Sequence, residues 1–483
     1  MKTIHPHHNP IRFVGSFALL AVMLLLPGSA FANAFFIQEL GGDGMGMGGA
    51  SVAAGDRPMT QFHNASNLSF IEDMHLQAGL TLYKAVGNYE SPEGQKTNMA
   101  DRTIPVPFFG FSIKPLDWLA IGIMECTNFG LATEWPKNWA GSHLVIKSEM
   151  QSFNINPNIS FGPFKGFAFA IGFDAVYGQI DIKRRLTLGL NPPGDENADN
   201  TLALHGSAWG YGANVGLMYQ PHEMVRFGVA YRSAVEMKLD NGKADFEVNS
   251  AFASRFPDQH FKSSITLPHL LSMGIRVMPL KTLAIELDAW ATFWSSYDKL
   301  DFKFDKGLEL GPSSRINRQI EKKEFYEAAQ IRLGADWKFY DKYALRLGLI
   351  YDGNPIPDKT LDPLVPDNHR INFTIGLGGE WHGFYADAAY MLVYAIPREV
   401  KGTATATEYT GNTFPGRYSW IAHDISLSIG FHYDVMGRNA EKAAETIQKD
   451  KADIQAPASE PAPAAEPTPA PVPQTEPVPA PAT

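Results

Sequence analysis

Val225-Arg226-Phe227-Gly228-Val229-Ala230-Tyr231-Arg232 alternates, residue by residue, between apolar side chains and charged or small ones. Period two is the signature of an extended strand, whose successive side chains point to opposite faces. Val225, Phe227, Val229 and Tyr231 form one face, and Arg226 and Arg232 stand on the other. The pattern recurs downstream. Leu271, Met273, Ile275 and Val277 oppose Ser272, Gly274 and Arg276; Leu345, Leu347 and Leu349 oppose Arg346 and Gly348; Ile425, Leu427, Ile429 and Phe431 oppose Asp424, Ser426, Ser428 and Gly430. If the apolar face meets lipid, the charges must point inward, because Arg or Lys on the lipid face costs roughly 2 to 4 kcal/mol at the bilayer midplane.

Fourteen such segments lie between Met74 and Tyr433, the first Met74 to Asn88 and the last Arg417 to Tyr433. Short connections such as Pro115 to Trp118, Gln220 to Glu223 and Tyr340 to Lys342 alternate with long ones around Gln95, Asn138, Pro193, Pro257, Pro312, Pro363 and Asn412. Short turns on one side and long loops on the other are expected of bacterial outer-membrane barrels, with the turns periplasmic and the loops outside. The fold class that follows is all-β, a transmembrane antiparallel β-barrel of 14 strands over 73–436.

Both ends read differently from this middle. Lys2 and Arg12 precede an apolar run from Phe13 to Leu26, which closes in Pro27-Gly28-Ser29 and Ala30-Phe31-Ala32. That order predicts a secretory signal peptide over 1–32. Residues 437–483 pass from a charged, Ala-rich stretch into a Pro/Ala/Glu tract, read as a disordered periplasmic tail without a core. Cys126 is the only cysteine, which leaves no disulfide framework and no Cys-based metal site, and no cofactor is expected. A net charge of −10 offers no basic patch for nucleic acid.

The inward-phase arginines Arg226, Arg276, Arg332 and Arg346 are matched by Glu286, Asp288, Asp336, Asp387 and Asp424. They form ion pairs in one reading, since buried charges are paired. In the sharper reading Arg276 and Arg346 hold a ligand carboxylate. Loop aromatics Phe246, Phe252, Phe256 and Phe261 are candidates for a first, weak apolar site, with simple loop packing as the alternative.

Residues 33–72 do not alternate. Phe35-Phe36-Ile37-Gln38-Glu39-Leu40 runs into Gly41-Gly42-Asp43-Gly44-Met45-Gly46-Met47-Gly48-Gly49-Ala50, then Ala53-Ala54-Gly55-Asp56 and Asn64-Ala65-Ser66-Asn67-Leu68. Glycine at this density lets backbone pack closely in a confined space, and an N-terminal hatch plugging the lumen is one such place. Here, and at Gly228 to Ser233, Leu267-Pro268, Asp288 with Trp294-Ser295, Leu345 to Gly348, Tyr351-Asp352 and Pro366-Asp367 with Arg370, the chain resembles the outer-membrane long-chain fatty acid and toluene-type transporters. The resemblance implies a hatch that rearranges on ligand binding, a pocket at the hatch start, here Phe35 and Phe36, and a kinked third strand as side exit, here at Asn128 and Gly130. The family's Asn-Pro-Ala hatch motif stands here as Asn64, Ala65 and Ser66, without the proline.

The expected function is passive uptake of hydrophobic small molecules by a monomer in the Gram-negative outer membrane. Its surroundings are lipid and lipopolysaccharide, and its tail points toward peptidoglycan or a periplasmic protein. Three rivals stand beside it: a barrel that only anchors that tail, a general porin, and a barrel enzyme using a pair such as Ser142 and His143, for which no motif speaks.

Overall fold

The computed structural model describes residues 33–37, 39–186, 200–250, 253–311, 314–340, 342–401, 414–435 and 437. The expected signal peptide and nearly all of the expected tail lie outside them.

Fourteen spans form one continuous antiparallel sheet. They are β1 Met74–Glu90, β2 Ile104–Leu116, β3 Leu119–Cys126 with Gly130–Glu134, β4 Lys147–Phe164, β5 Phe167–Arg185, β6 Thr201–His222 and β7 Val225–Arg232 with Val235–Glu247. There follow β8 Gln259–Leu267 with His269–Leu280, β9 Leu283–Phe293 with Lys299–Gly311, β10 Ser314–Lys322 with Ala328–Phe339, β11 Tyr343–Asp352, β12 Arg370–Trp381, β13 Phe384–Ala395 and β14 Gly416–Tyr433. The last span closes on the first, from Met74 opposite Tyr433 to Glu90 opposite Arg417. Closure joins the first span to the last, which is what a bilayer requires of a sheet.

The two faces fall as the alternation predicts. On β14, Ile425, Leu427 and Ile429 are exposed, while Asp424, Ser426 and Ser428 are buried. Aromatic rings gather where the short turns are: Phe167 stacks on Tyr219 at 3.9 Å, Phe384 lies 4.7 Å from Phe431, and Trp118 stacks on Phe161. Rings with one wet and one apolar side settle at membrane interfaces, and this girdle marks the periplasmic one.

Residues 33–72 fill the interior. The segment has one short helix, α1 Gly42–Gly46, and 3-10 turns at Pro58–Phe62 and Ala65–Phe70, with nearly every side chain buried. So little regular structure leaves many backbone groups needing partners, and the wall supplies them. Asp288 accepts the amides of Ser51 and Val52 at 2.8 and 3.1 Å, and Glu286 accepts that of Ala53 at 2.6 Å. Arg332 donates to the Gly48 carbonyl, and Arg226 to the Ala54 carbonyl. Glycine is needed where the two backbones touch: a Cβ on Gly348 of β11 would lie 2.4 Å from the Gly48 nitrogen, and Gly48 itself has φ +64°.

These anchors can be tested by removing one. Asp288→Leu leaves the Ser51 and Val52 amides buried without partners, at a cost on the order of 2 kcal/mol. Trypsin cleavage after Arg57 in the detergent-solubilised protein is expected to accelerate by roughly tenfold or more, while the barrel keeps its heat-modifiable migration on gels.

Candidate functional site

The alternation of β3 is interrupted where the interior segment begins. Pairing with β4 runs to Cys126 opposite Asn154 and resumes at Gly130 opposite Gln151, so Thr127, Asn128 and Phe129 face only Ser152 and Phe153. An extra residue on one strand bends it and breaks its ladder. The N-terminal segment mends the break. Phe36 bridges to Phe129, Ile37 donates to the Asn128 carbonyl at 2.9 Å, and Gly130 donates to the Phe35 carbonyl at 2.9 Å. Ser152 caps the other side, its hydroxyl taking the Phe129 amide at 3.0 Å. Of the expected kink positions, Asn128 lies within the interruption and Gly130 directly after it.

The opposite edge of β3 opens further. Its ladder with β2 ends at Phe109 opposite Glu125, and among the described residues no backbone pairing joins Ile104–Phe108 to Gly130–Glu134. Ala100 donates to the Glu134 carbonyl at 2.8 Å above this seam, and Arg102 crosses it to Glu134 at 3.3 Å and to Glu149.

A cavity of about 310 Å³ lies behind the seam. Phe35, Phe36 and Ile37 form one wall, Leu131, Met150, Met391 and Val393 its apolar lining, and Pro105 and Phe153 reach the seam. Phe35 is itself held by rings, edge-on to Trp294 at 4.6 Å and to Tyr297 at 5.7 Å, while Phe36 stacks on Phe129 at 4.9 Å. The far end is polar, with Glu39, Asp352, Asp367, Arg370, Asn372 and Asp424.

Asp367, in the loop between β11 and β12, ties the N-terminal segment to this end. It accepts the Ala34 amide at 2.9 Å and the Asn368 amide at 3.0 Å. Burial pushes its carboxyl up to about 6, against the pull of Arg370.

Other expected site residues fall elsewhere. Arg276 and Arg346, expected to hold a ligand carboxylate, do not line the cavity. Arg276 is engaged by Glu286 at 2.9 Å and by Asp56 at 3.1 Å, and Arg346 by Asp387 at 2.6 Å and Asp336 at 3.5 Å. Each is a cation already neutralised by the protein. Phe246, Phe256 and Phe261 are likewise away from the cavity. Phe256 packs on Phe246 and Phe261 on Phe302, and with Phe256 at 2% and Phe261 at 0% exposure neither offers a face to a ligand. Phe252 lies outside the described residues. Asn64 keeps its turn without the proline: its side chain accepts the Ser66 amide at 3.0 Å and donates to the Val52 and Leu217 carbonyls at 3.0 Å, tying the turn to β6. Ala65 and Ser66 are buried beside it.

A barrel whose own N-terminal segment fills its interior and mends its third strand matches a known group. A family profile described as "Outer membrane protein transport protein (OMPP1/FadL/TodX)" covers residues 23–433. The chain belongs to this family. Among curated relatives, the long-chain fatty acid transport protein of Escherichia coli O6:H1 is 26% identical over 399 residues, spanning 74% of this chain and 86% of that one. Outer membrane protein P1 of Haemophilus influenzae is 23% identical over 467 residues, 86% of this chain and 98% of the relative. A crystal structure of a Pseudomonas aeruginosa FadL homologue superposes with a TM-score of 0.69 at 18% identity, over 84% of this chain and all of that one. The Pseudomonas putida toluene transporter TodX gives 0.62 at 14% identity, over 82% and 99%. As a member of the OMPP1/FadL/TodX family, the protein is an outer-membrane transport barrel and not an enzyme.

Titration of Asp367 makes the stability of this region depend on pH. Its folded value, about 6, lies above its ordinary 3.8, so the folded state holds the proton more tightly. The associated stability, on the order of 2 kcal/mol, is present below the ordinary value and lost as pH rises through 6. Thermal melts between acidic and neutral pH should therefore show the wild type falling relative to Asp367→Asn as pH rises, with the difference levelling above the upper value.

Proposed function

We propose that the protein admits apolar small molecules, of the fatty acid or aromatic hydrocarbon kind, by diffusion through the cavity at the head of its N-terminal segment. The observation that carries this reading is the double use of residues 35–37. The same three residues wall the cavity and complete the broken β3 ladder. A ligand that displaces Phe36 takes the bridge to Phe129 with it, so filling the cavity and loosening the wall become one event.

Burial of apolar surface drives entry, at about 25 cal/mol per Å² removed from water. Exit runs sideways through the seam between β2 and β3, because that is where the cavity meets the wall without crossing a backbone ladder. The relatives' names fit such cargo: one is a long-chain fatty acid transport protein and another a toluene transporter. In this reading the segment 33–72 is the hatch, the barrel works as a monomer among outer-membrane lipid and lipopolysaccharide, residues 1–32 are a removed leader, and 437–483 form a periplasmic tail reaching toward peptidoglycan or a periplasmic protein. The interior packing disfavours a general porin, since the hatch occupies the space a water-filled channel needs.

Leu131→Trp places a ring in the seam and tests the route. Uptake of labelled toluene by cells that rely on this barrel is expected to fall by about tenfold, the effect of a barrier roughly 1.4 kcal/mol higher. Unchanged uptake, or open sugar conductance of the wild type in planar bilayers, would count against the route.

A further inference from the structure

The polar end of the cavity holds four carboxylates, Glu39, Asp352, Asp367 and Asp424, against one lining cation there, Arg370, which is already ion-paired. Arg370 is held by Asp352 at 2.6 Å, and Asp352 also takes the Gln330 amide at 2.7 Å. Arg332 is held by Glu39 at 2.9 Å and by the Gly48 carbonyl at 2.8 Å. Asp367 is filled by two backbone amides.

Two acceptors are left over. Asp424 on β14 is 3% exposed, receives the Lys84 amide at a long 3.3 Å, and has no cation within ion-pair distance among the described residues. Asn372 on β12 is 5% exposed, and its Oδ1 has no hydrogen-bond partner. Both line the cavity. A buried carboxylate with one long hydrogen bond and no cation is costly, and so is an orphaned amide oxygen. Each is relieved by a donor brought in by the cavity's occupant. An anion would do the reverse, adding a negative charge beside Glu39, Asp352, Asp367 and Asp424, whose neighbouring arginines are taken.

Resting on the transport reading above and narrowing its cargo away from fatty acid anions, we propose that the cavity prefers apolar molecules whose polar end donates a hydrogen bond, a hydroxyl or an ammonium, and disfavours carboxylates. Asp424 is the specificity-determining group, with Asn372 beside it. The apolar body lies against Phe36, Leu131 and Met150, and the donor end turns toward β12 and β14.

Four monoaromatic probes of one size test this on full-length detergent-purified protein by equilibrium dialysis at neutral pH: toluene, benzyl alcohol, benzylamine and benzoate. Benzyl alcohol and benzylamine are expected to bind about tenfold more tightly than benzoate, the scale of one added polar contact. A larger gain for benzylamine than for benzyl alcohol assigns the preference to charge, and equal gains assign it to hydrogen bonding. In Asp424→Asn the advantage of benzylamine over benzoate should shrink to within about threefold. Because the comparison within the wild type needs no variant, misfolding of Asp424→Asn leaves the test intact. Benzoate binding as tightly as the alcohol and the amine, or an Asp424→Asn protein that folds and keeps the full preference, overturns the proposal while toluene binding preserves the transport reading. No binding of any probe overturns both.

Discussion

Inside a bilayer every backbone amide and carbonyl must find its partner within the protein, because lipid offers none. The closed sheet meets this demand through its ladders. The glycine-rich segment inside it cannot, having one five-residue helix and two short 3-10 turns. It takes its partners from the wall instead: Glu286 and Asp288 accept three successive amides, and Arg226 and Arg332 fill its carbonyls. The exchange runs both ways at β3, where the wall is deficient and Phe35 to Ile37 supply what Asn128 and Gly130 lack.

This reciprocity explains why the interior charges are where they are. Placed on the lipid face, Arg276, Arg332 and Arg346 would each cost several kcal/mol. Turned inward, they and their carboxylates become the fixings for the segment within. Breaking one such pair leaves an uncompensated buried charge, the costly case for buried ions. The rigidity of these fixings contrasts with the head of the segment, where two backbone bonds and stacked rings hold Phe36 against Phe129. In the proposed route it is this head that moves, while the rest of the segment stays anchored.

The barrel was legible because period two, maintained over fourteen segments and in step with loop length, is what a closed two-faced sheet demands and what a helical or irregular chain does not produce. Each observed span overlaps the expected one, and the phase of β7, β8, β11 and β14 follows the alternation. Which charge meets which was not legible. Arg276 and Arg346 have the same inward phase as a ligand-holding arginine would, and only the closed barrel with its docked segment shows their partners, Glu286 and Asp56 for the first and Asp387 and Asp336 for the second. The acceptor-rich end escaped for the same reason, since Asp367, Asn372 and Asp424 come from a loop and two strands that converge only on closure. The loop phenylalanines carried no signal separating a ligand-binding face from packing, and of them Phe256 and Phe261 are buried. The turn at Asn64 shows that a side-chain hydrogen bond to the Ser66 amide can restrain backbone where the family motif has proline.

The head of the interior segment and the broken third strand form one hydrogen-bonded unit, and in the proposed route ligand takes that unit apart. Amide hydrogen exchange at Ile37 and Gly130 reads it directly. In ligand-free protein both amides should be protected, and saturating toluene should expose both together while the Ser51 and Val52 amides stay protected. Exchange at Ile37 and Gly130 that ignores ligand, or that rises at one without the other, would show that the segment and the strand are not coupled in this way.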